Sequence, residues 1–85
     1  MKLNPLIVFR DDFGEDGVLF NPEDGKVMGL NRTGSFIWKC LEKQMGRSEI
    51  VEALRQACGD TVPDSLESDV DEFLGELRRR SFLVD

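Results

Sequence analysis

The sequence predicts an α+β fold in which a three-stranded antiparallel sheet is followed by three helices, in the order βββααα. Three observations carry this. The first 30 residues hold three short apolar segments divided by two turns with Asp-Gly chemistry, Glu15-Asp16-Gly17 and Asn21-Pro22-Glu23-Asp24-Gly25. After Asn31 the apolar spacing changes from strand-like to helical. Three helical stripes then follow, divided at Gly46 and Gly59. At 85 residues and 40% hydrophobic content, the chain is expected to form one small domain over residues 1–85 with a single modest core.

Leu6-Ile7-Val8-Phe9 is rich in strand-forming residues, and Phe13 extends it. Val18-Leu19-Phe20 is the second strand, ended by Pro22, with Gly25 supplying a positive φ in the turn. Lys26 to Leu30 is the third strand. Asn31 caps the first helix, which runs to about Gln44 by its stripe Phe36, Ile37, Cys40, Leu41 and Met45. Trp38 lies beside that stripe and closes an edge of the core, and Gly46 stops the helix. Ser48 is expected to cap the second helix, with stripe Ile50, Val51, Leu54, Ala57 and Cys58. Asp60-Thr61-Val62-Pro63 is an irregular link. Asp64 and Glu67 have the spacing of a capping box for the third helix, whose stripe is Leu66, Val70, Phe73, Leu74 and Leu77. Phe82-Leu83-Val84 docks on the core or adds a strand. Two helices joined by a tight Gly46-Arg47 turn beside a small sheet make a winged-helix-like arrangement. A three-stranded sheet alone is marginal, so helices must cover one face; the stripe of the third helix is the natural candidate.

Composition narrows the chemistry. Seventeen acids oppose eleven bases, a net charge of -6, and nucleic acid repels such a chain unless its bases cluster. The best cluster, Arg78-Arg79-Arg80, follows an acidic run with Asp69, Asp71, Glu72 and Glu76, and three cations at a helix end suit the helix dipole. No apolar run approaches the roughly 20 residues that cross a bilayer, and the first apolar run has no small-residue cleavage site after it. A cytoplasmic protein without a membrane partner is the expectation. Cys40 and Cys58 lack zinc spacing and fall on helical stripes, so they read as buried free thiols; no histidine is present to join them. The acid pairs Asp11-Asp12, Glu15-Asp16 and Glu23-Asp24 sit in or beside turns, where carboxylates are solvated and unsuited to acid–base work. The serines have no histidine partner, and Asp11-Asp12 to Asp16 lacks a calcium-loop pattern. The expectation is a non-catalytic protein with no metal and no cofactor.

Binding is the stronger reading. The outer strands of a short meander expose unpaired N–H and C=O groups that invite an extended peptide. Lys26, Met28 and Leu30 share one face of the third strand, and Val27 and Gly29 share the other. Gly29 lets another backbone approach closely. The stripe of the third helix either fills the core or offers Phe73 and Leu77 as one wall of a groove.

The run Gly25-Lys26-Val27-Met28-Gly29-Leu30-Asn31-Arg32-Thr33-Gly34-Ser35-Phe36-Ile37-Trp38 resembles the strand-to-helix signature of PqqD-like proteins, the domains called RiPP precursor recognition elements. Arg47 to Leu54 resembles the start of that family's second helix, Val70 to Leu77 its third helix, and Ser81-Phe82-Leu83-Val84 its ending. The resemblance spans roughly residues 6 to 84, and the order and spacing of these pieces together carry it. It departs at Gln44-Met45-Gly46, where Asp-Gly is frequent, and at Ser81, where Gly is usual.

The resemblance implies a winged-helix-like domain that binds the leader part of a ribosomally made precursor peptide. The leader would add a strand beside the third strand and lie against the third helix. By position, the implied contacts are Lys26, Val27, Met28, Gly29 and Leu30 on the strand, and Asp69, Val70, Phe73, Leu74, Leu77 and Arg80 on the helix. Arg78 and Arg80 would attract acidic leader residues; Asp69 and Glu76 would attract basic ones. The implied partner enzyme is a radical SAM protein, as in pyrroloquinoline quinone synthesis, or a leader peptidase and cyclase, as in lasso-peptide synthesis. Two rivals share the layout. A winged-helix DNA-binding regulator needs a basic recognition helix, but the second helix offers Arg55 against Glu49 and Glu52. A homodimer would pair the free strand edge with a second copy.

Overall fold

The computed structural model describes residues 2–11 and 16–84. Its elements are β1 (Lys2–Leu3), β2 (Val8–Arg10), β3 (Gly17–Phe20), β4 (Val27–Leu30), α1 (Arg32–Glu42), α2 (Arg47–Cys58), α3 (Leu66–Arg79) and β5 (Leu83–Val84). β2, β3 and β4 form the expected antiparallel meander, and the three helices follow it. A second, two-stranded sheet pairs β1 with β5, setting Leu3 opposite Leu83.

The first strand differs from the sequence expectation. Leu6 and Ile7 belong to a turn, and the strand begins at Val8. Asn4 builds that turn: its carbonyl accepts from the Ile7 N–H at 3.1 Å, and its side-chain oxygen accepts from the Leu6 N–H at 3.0 Å. Asn-Pro is turn chemistry, and it outweighs the strand preference of the apolar residues after it. Phe13 and Glu15 lie outside the described residues, and Gly17 opens β3 opposite Leu30.

Asn31 caps α1 as expected, its Oδ1 accepting from the Gly34 N–H at 2.8 Å. The reversal after α1 is made by Gln44 at φ 63°, not by Gly46. Gly46 instead stands at the N-cap of α2, its N–H donating to Glu49 Oε1 at 3.1 Å, so α2 starts at Arg47 and Ser48 is already inside it. Gly59, at φ 62°, ends α2. The Asp64–Glu67 capping box does not form. Ser65 is the N-cap, its hydroxyl donates to Asp69 Oδ2 at 2.9 Å, and Glu67 accepts from Arg47.

The core joins Leu19 and Leu30 from the sheet, Ile37, Trp38, Cys40 and Leu41 from α1, Ile50, Val51 and Leu54 from α2, and Leu66, Val70, Leu74 and Leu77 from α3. Trp38 is 2% exposed and sits inside the core rather than at its edge. Ala57 is exposed and Cys58 half-buried, because α2 turns only its first two turns inward. Cys40 is buried, and burial pushes its thiol pKa up. The helix that covers the sheet is α1, packed on β3 and β4; α3 packs on α2 and β5. The direct run from β4 through Asn31 into α1 folds that helix back over its own strand. The tail both docks and pairs: Phe82 and Leu83 are buried, and the Asn4 N–H donates to the Phe82 carbonyl at 3.0 Å.

Candidate functional site

β4 pairs with β3 alone, so its other edge is open among the described residues. The register fixes which backbone groups face that edge. The Asn21 N–H donates to the Lys26 carbonyl at 2.9 Å, which makes Asn21 and Lys26 a hydrogen-bonded pair. Hydrogen-bonded and non-bonded pairs alternate along an antiparallel ladder. Leu19↔Met28 and Gly17↔Leu30 are therefore bonded pairs, while Phe20↔Val27 and Val18↔Gly29 are not. The N–H and C=O groups of Val27 and Gly29 point outward. The turn that launches β4 is held from both ends: Asn21 Oδ1 accepts from the Glu23 N–H, and Asp24 Oδ1 accepts from the Lys26 N–H, each at 2.9 Å.

Side chains on β4 divide by face. Lys26 is exposed at the turn, and Val27 and Gly29 face solvent. Met28 is half-buried against the core and Leu30 is buried. An ideal Cβ on Gly29 meets no heavy atom within 4 Å, so the backbone there is bare.

Where β4 gives way to α1, a groove of about 710 Å³ opens between the first turns of α1 and the outer face of α3. Phe73 and the Gly34 backbone supply its apolar surface over the buried Ile37, with Asp69, Glu72 and Glu76 along the helix that walls it. Gly34 lets the Phe73 ring lie close against α1: a Cβ there would stand 3.2 Å from Phe73 Cε1, so the ring would have to give by a few tenths of an ångström. The groove brings together Asp69 and Phe73 from the residues that the resemblance implied. Val70, Leu74 and Leu77 lie in the core behind it, with Leu77 0% exposed, so they hold α3 in place. Arg80 is exposed at the C-cap of α3. Glu76, expected with Asp69 to attract basic leader residues, lines the groove too; Thr33, Gly34, Ile37, Glu72 and Arg79 also line it and were not singled out from sequence as groove residues. The helical period shows part of this set, because positions 69, 72, 73, 76 and 79 share one face of α3.

One ion-pair cluster ties α3 to α2 and a second runs along α3 itself. Arg47 Nε lies 2.6 Å from Asp71 Oδ1, and its NH2 lies 3.0 Å from Oδ2 and 3.4 Å from Glu67 Oε1, tying the start of α2 to α3. The Arg47 hydrogen bonds hold the Asp71 carboxyl below its ordinary range and push the guanidinium pKa up. Glu76 accepts from Arg80 Nε at 2.6 Å and from Arg79, and both arginines lower its pKa. Among the described residues, no group of three His, Cys, Asp or Glu side chains is placed to hold a metal ion. No described helix is long and apolar enough to cross a membrane.

The family model for coenzyme PQQ synthesis protein D (PqqD) matches residues 16–83. The chain belongs to the PqqD-like family. Among solved structures it is similar to the one described as TbiB1 in complex with the TbiA(beta) leader peptide. The TM-score is 0.83 at 28% sequence identity, covering 100% of both chains. None of the curated proteins compared matches it.

Proposed function

We propose that this protein is a non-catalytic peptide chaperone. It binds the leader of a ribosomally made precursor peptide by β-strand addition at β4 and presents the peptide to a modifying enzyme. The observation that carries this reading is the free β4 edge, with the backbone groups of Val27 and Gly29 turned outward beside a groove walled by α3. The similarity to a structure holding a leader peptide supports it. Main-chain pairing along β4 supplies part of the affinity, and the pocket at Gly34, Ile37 and Phe73 selects side chains. The chemistry on the peptide belongs to the partner, a radical SAM protein or a leader peptidase with a cyclase.

The test is a titration with synthetic leader peptides from precursors encoded beside the gene, followed by backbone amide shifts. Shifts concentrated on Lys26–Leu30, α3 and the first turn of α1 are expected. Val27→Pro removes an outward N–H and should abolish binding with the fold kept. Met28→Pro removes an N–H that bonds β3, and should damage the fold itself. Normal binding by a folded Val27→Pro protein would show that β4 is not the docking strand. Binding of duplex DNA, or peptide-insensitive pairing of two copies in sedimentation, would favour the rival readings instead.

A further inference from the structure

Three of the exposed large hydrophobic side chains form a single row. Val8 stands opposite Phe20, and Phe20 opposite Val27, across β2, β3 and β4. They are 40%, 36% and 57% exposed, and Leu19, at the core, points the other way. The row therefore crosses the outer face of the sheet and stops at the open edge of β4. Its last member, Val27, is the most exposed of the large hydrophobics among the described residues and has a cross-strand neighbour on one side only. The next row on that face is Arg10, Val18 and Gly29, and it ends in bare backbone.

We propose that the leader segment is read on this outer face as well as in the groove. The leader residue beside Val27 is apolar and completes a four-strand row. The outer-face residue two positions away is bulky and lies across Gly29. This rests on the β-addition reading above. Residues side by side on neighbouring strands share a face whichever way the added strand runs, so the pattern does not depend on its direction. Glycine in a strand leaves apolar surface that a large neighbouring side chain can cover. The leader residue between these two points toward the groove. The substrate class is thus an extended segment with apolar side chains at alternate positions on one face and a groove-directed side chain between them.

The probe is the fluorescein-labelled synthetic leader of the precursor encoded beside the gene. Val27→Ser should weaken its binding by up to about fivefold, and Val27→Ile should bind at least as tightly as the parent. An aspartate scan of the peptide should find one position whose penalty shrinks in the Val27→Ser background. Melting midpoints and amide exchange of the free proteins check that the fold is unchanged. If exchange at Val27 and Gly29 slows on binding but Val27→Ser binds as tightly as the parent, the outer-face proposal is overturned and strand addition stands. If exchange there does not slow, both are overturned.

Discussion

Ser81 and Gln44 adopt φ of 62° and 63°, a left-handed backbone that costs side-chain-bearing residues roughly 1 kcal/mol. Ser81 stands where the family resemblance has Gly, and its backbone explains that preference. Ser81→Gly should raise stability by about 0.5–1 kcal/mol, a rise of several degrees in melting midpoint for a domain of this size. Gly17 needs its missing side chain for a different reason. A Cβ there would stand 2.4 Å from Phe9 Cε1 and 2.9 Å from the buried Ser35 Oγ. Gly17→Ala should cost about 1–3 kcal/mol in chemical denaturation, whereas Gly29→Ala, with open space around it, should leave the fold intact. The sequence marks Gly17 as a turn residue beside Asp16. It does not show that a ring from β2 and a hydroxyl from α1 fill the space above it, because those neighbours are remote in the chain.

Among elements, α2 and α3 are joined at their surface by the Arg47–Asp71 pair. Asp71 titrates below its ordinary pKa in the folded protein. Its contribution to stability is present above the unfolded carboxylate pKa of about 4 and is lost as pH falls through the lower folded value. Melting midpoints should fall on acidification below about pH 4, and Asp71→Asn should make that fall shallower. The β1–β5 pair is a second fastening, and Phe82, 1% exposed, is its anchor. Phe82→Ala should cost about 3–5 kcal/mol and flatten the cooperative unfolding transition. The helical stripes and the Asn31 cap were readable because they depend on spacing and local chemistry. Ser48 as a cap and the Asp64–Glu67 box were misread because Gly46 and Ser65 took the cap positions. Which helix covers the sheet was also hidden: apolar stripes on α1 and α3 look alike, and the choice depends on how tightly β4 turns into α1.

For the whole molecule, the order of elements and the open third strand of the meander were readable from turns and periodicity. The groove was readable only in part. Its apolar surface combines Gly34 with Phe73, which are distant in sequence, over the buried Ile37, and Leu77 was drawn into the core instead. The outward phase of Val27 and Gly29 follows from a register that sequence does not supply. Charge at this scale also has a consequence. With a net charge of -6, and with Arg79 and Arg80 both engaged by Glu76, the protein should not retard duplex DNA in a gel-shift assay at physiological salt.

β4 is four residues long, and only Val27 and Gly29 turn their backbone groups outward, so at most four main-chain hydrogen bonds are on offer. At a net 0.5–1.5 kcal/mol each, these come to about 2–6 kcal/mol, short of the roughly 8 kcal/mol of a micromolar complex. Backbone pairing on its own would leave any passing extended chain bound for too short a time to matter. If peptide adds at β4 as proposed, a strand this brief makes discrimination a condition of tight binding, because the missing affinity has to come from side chains that fit.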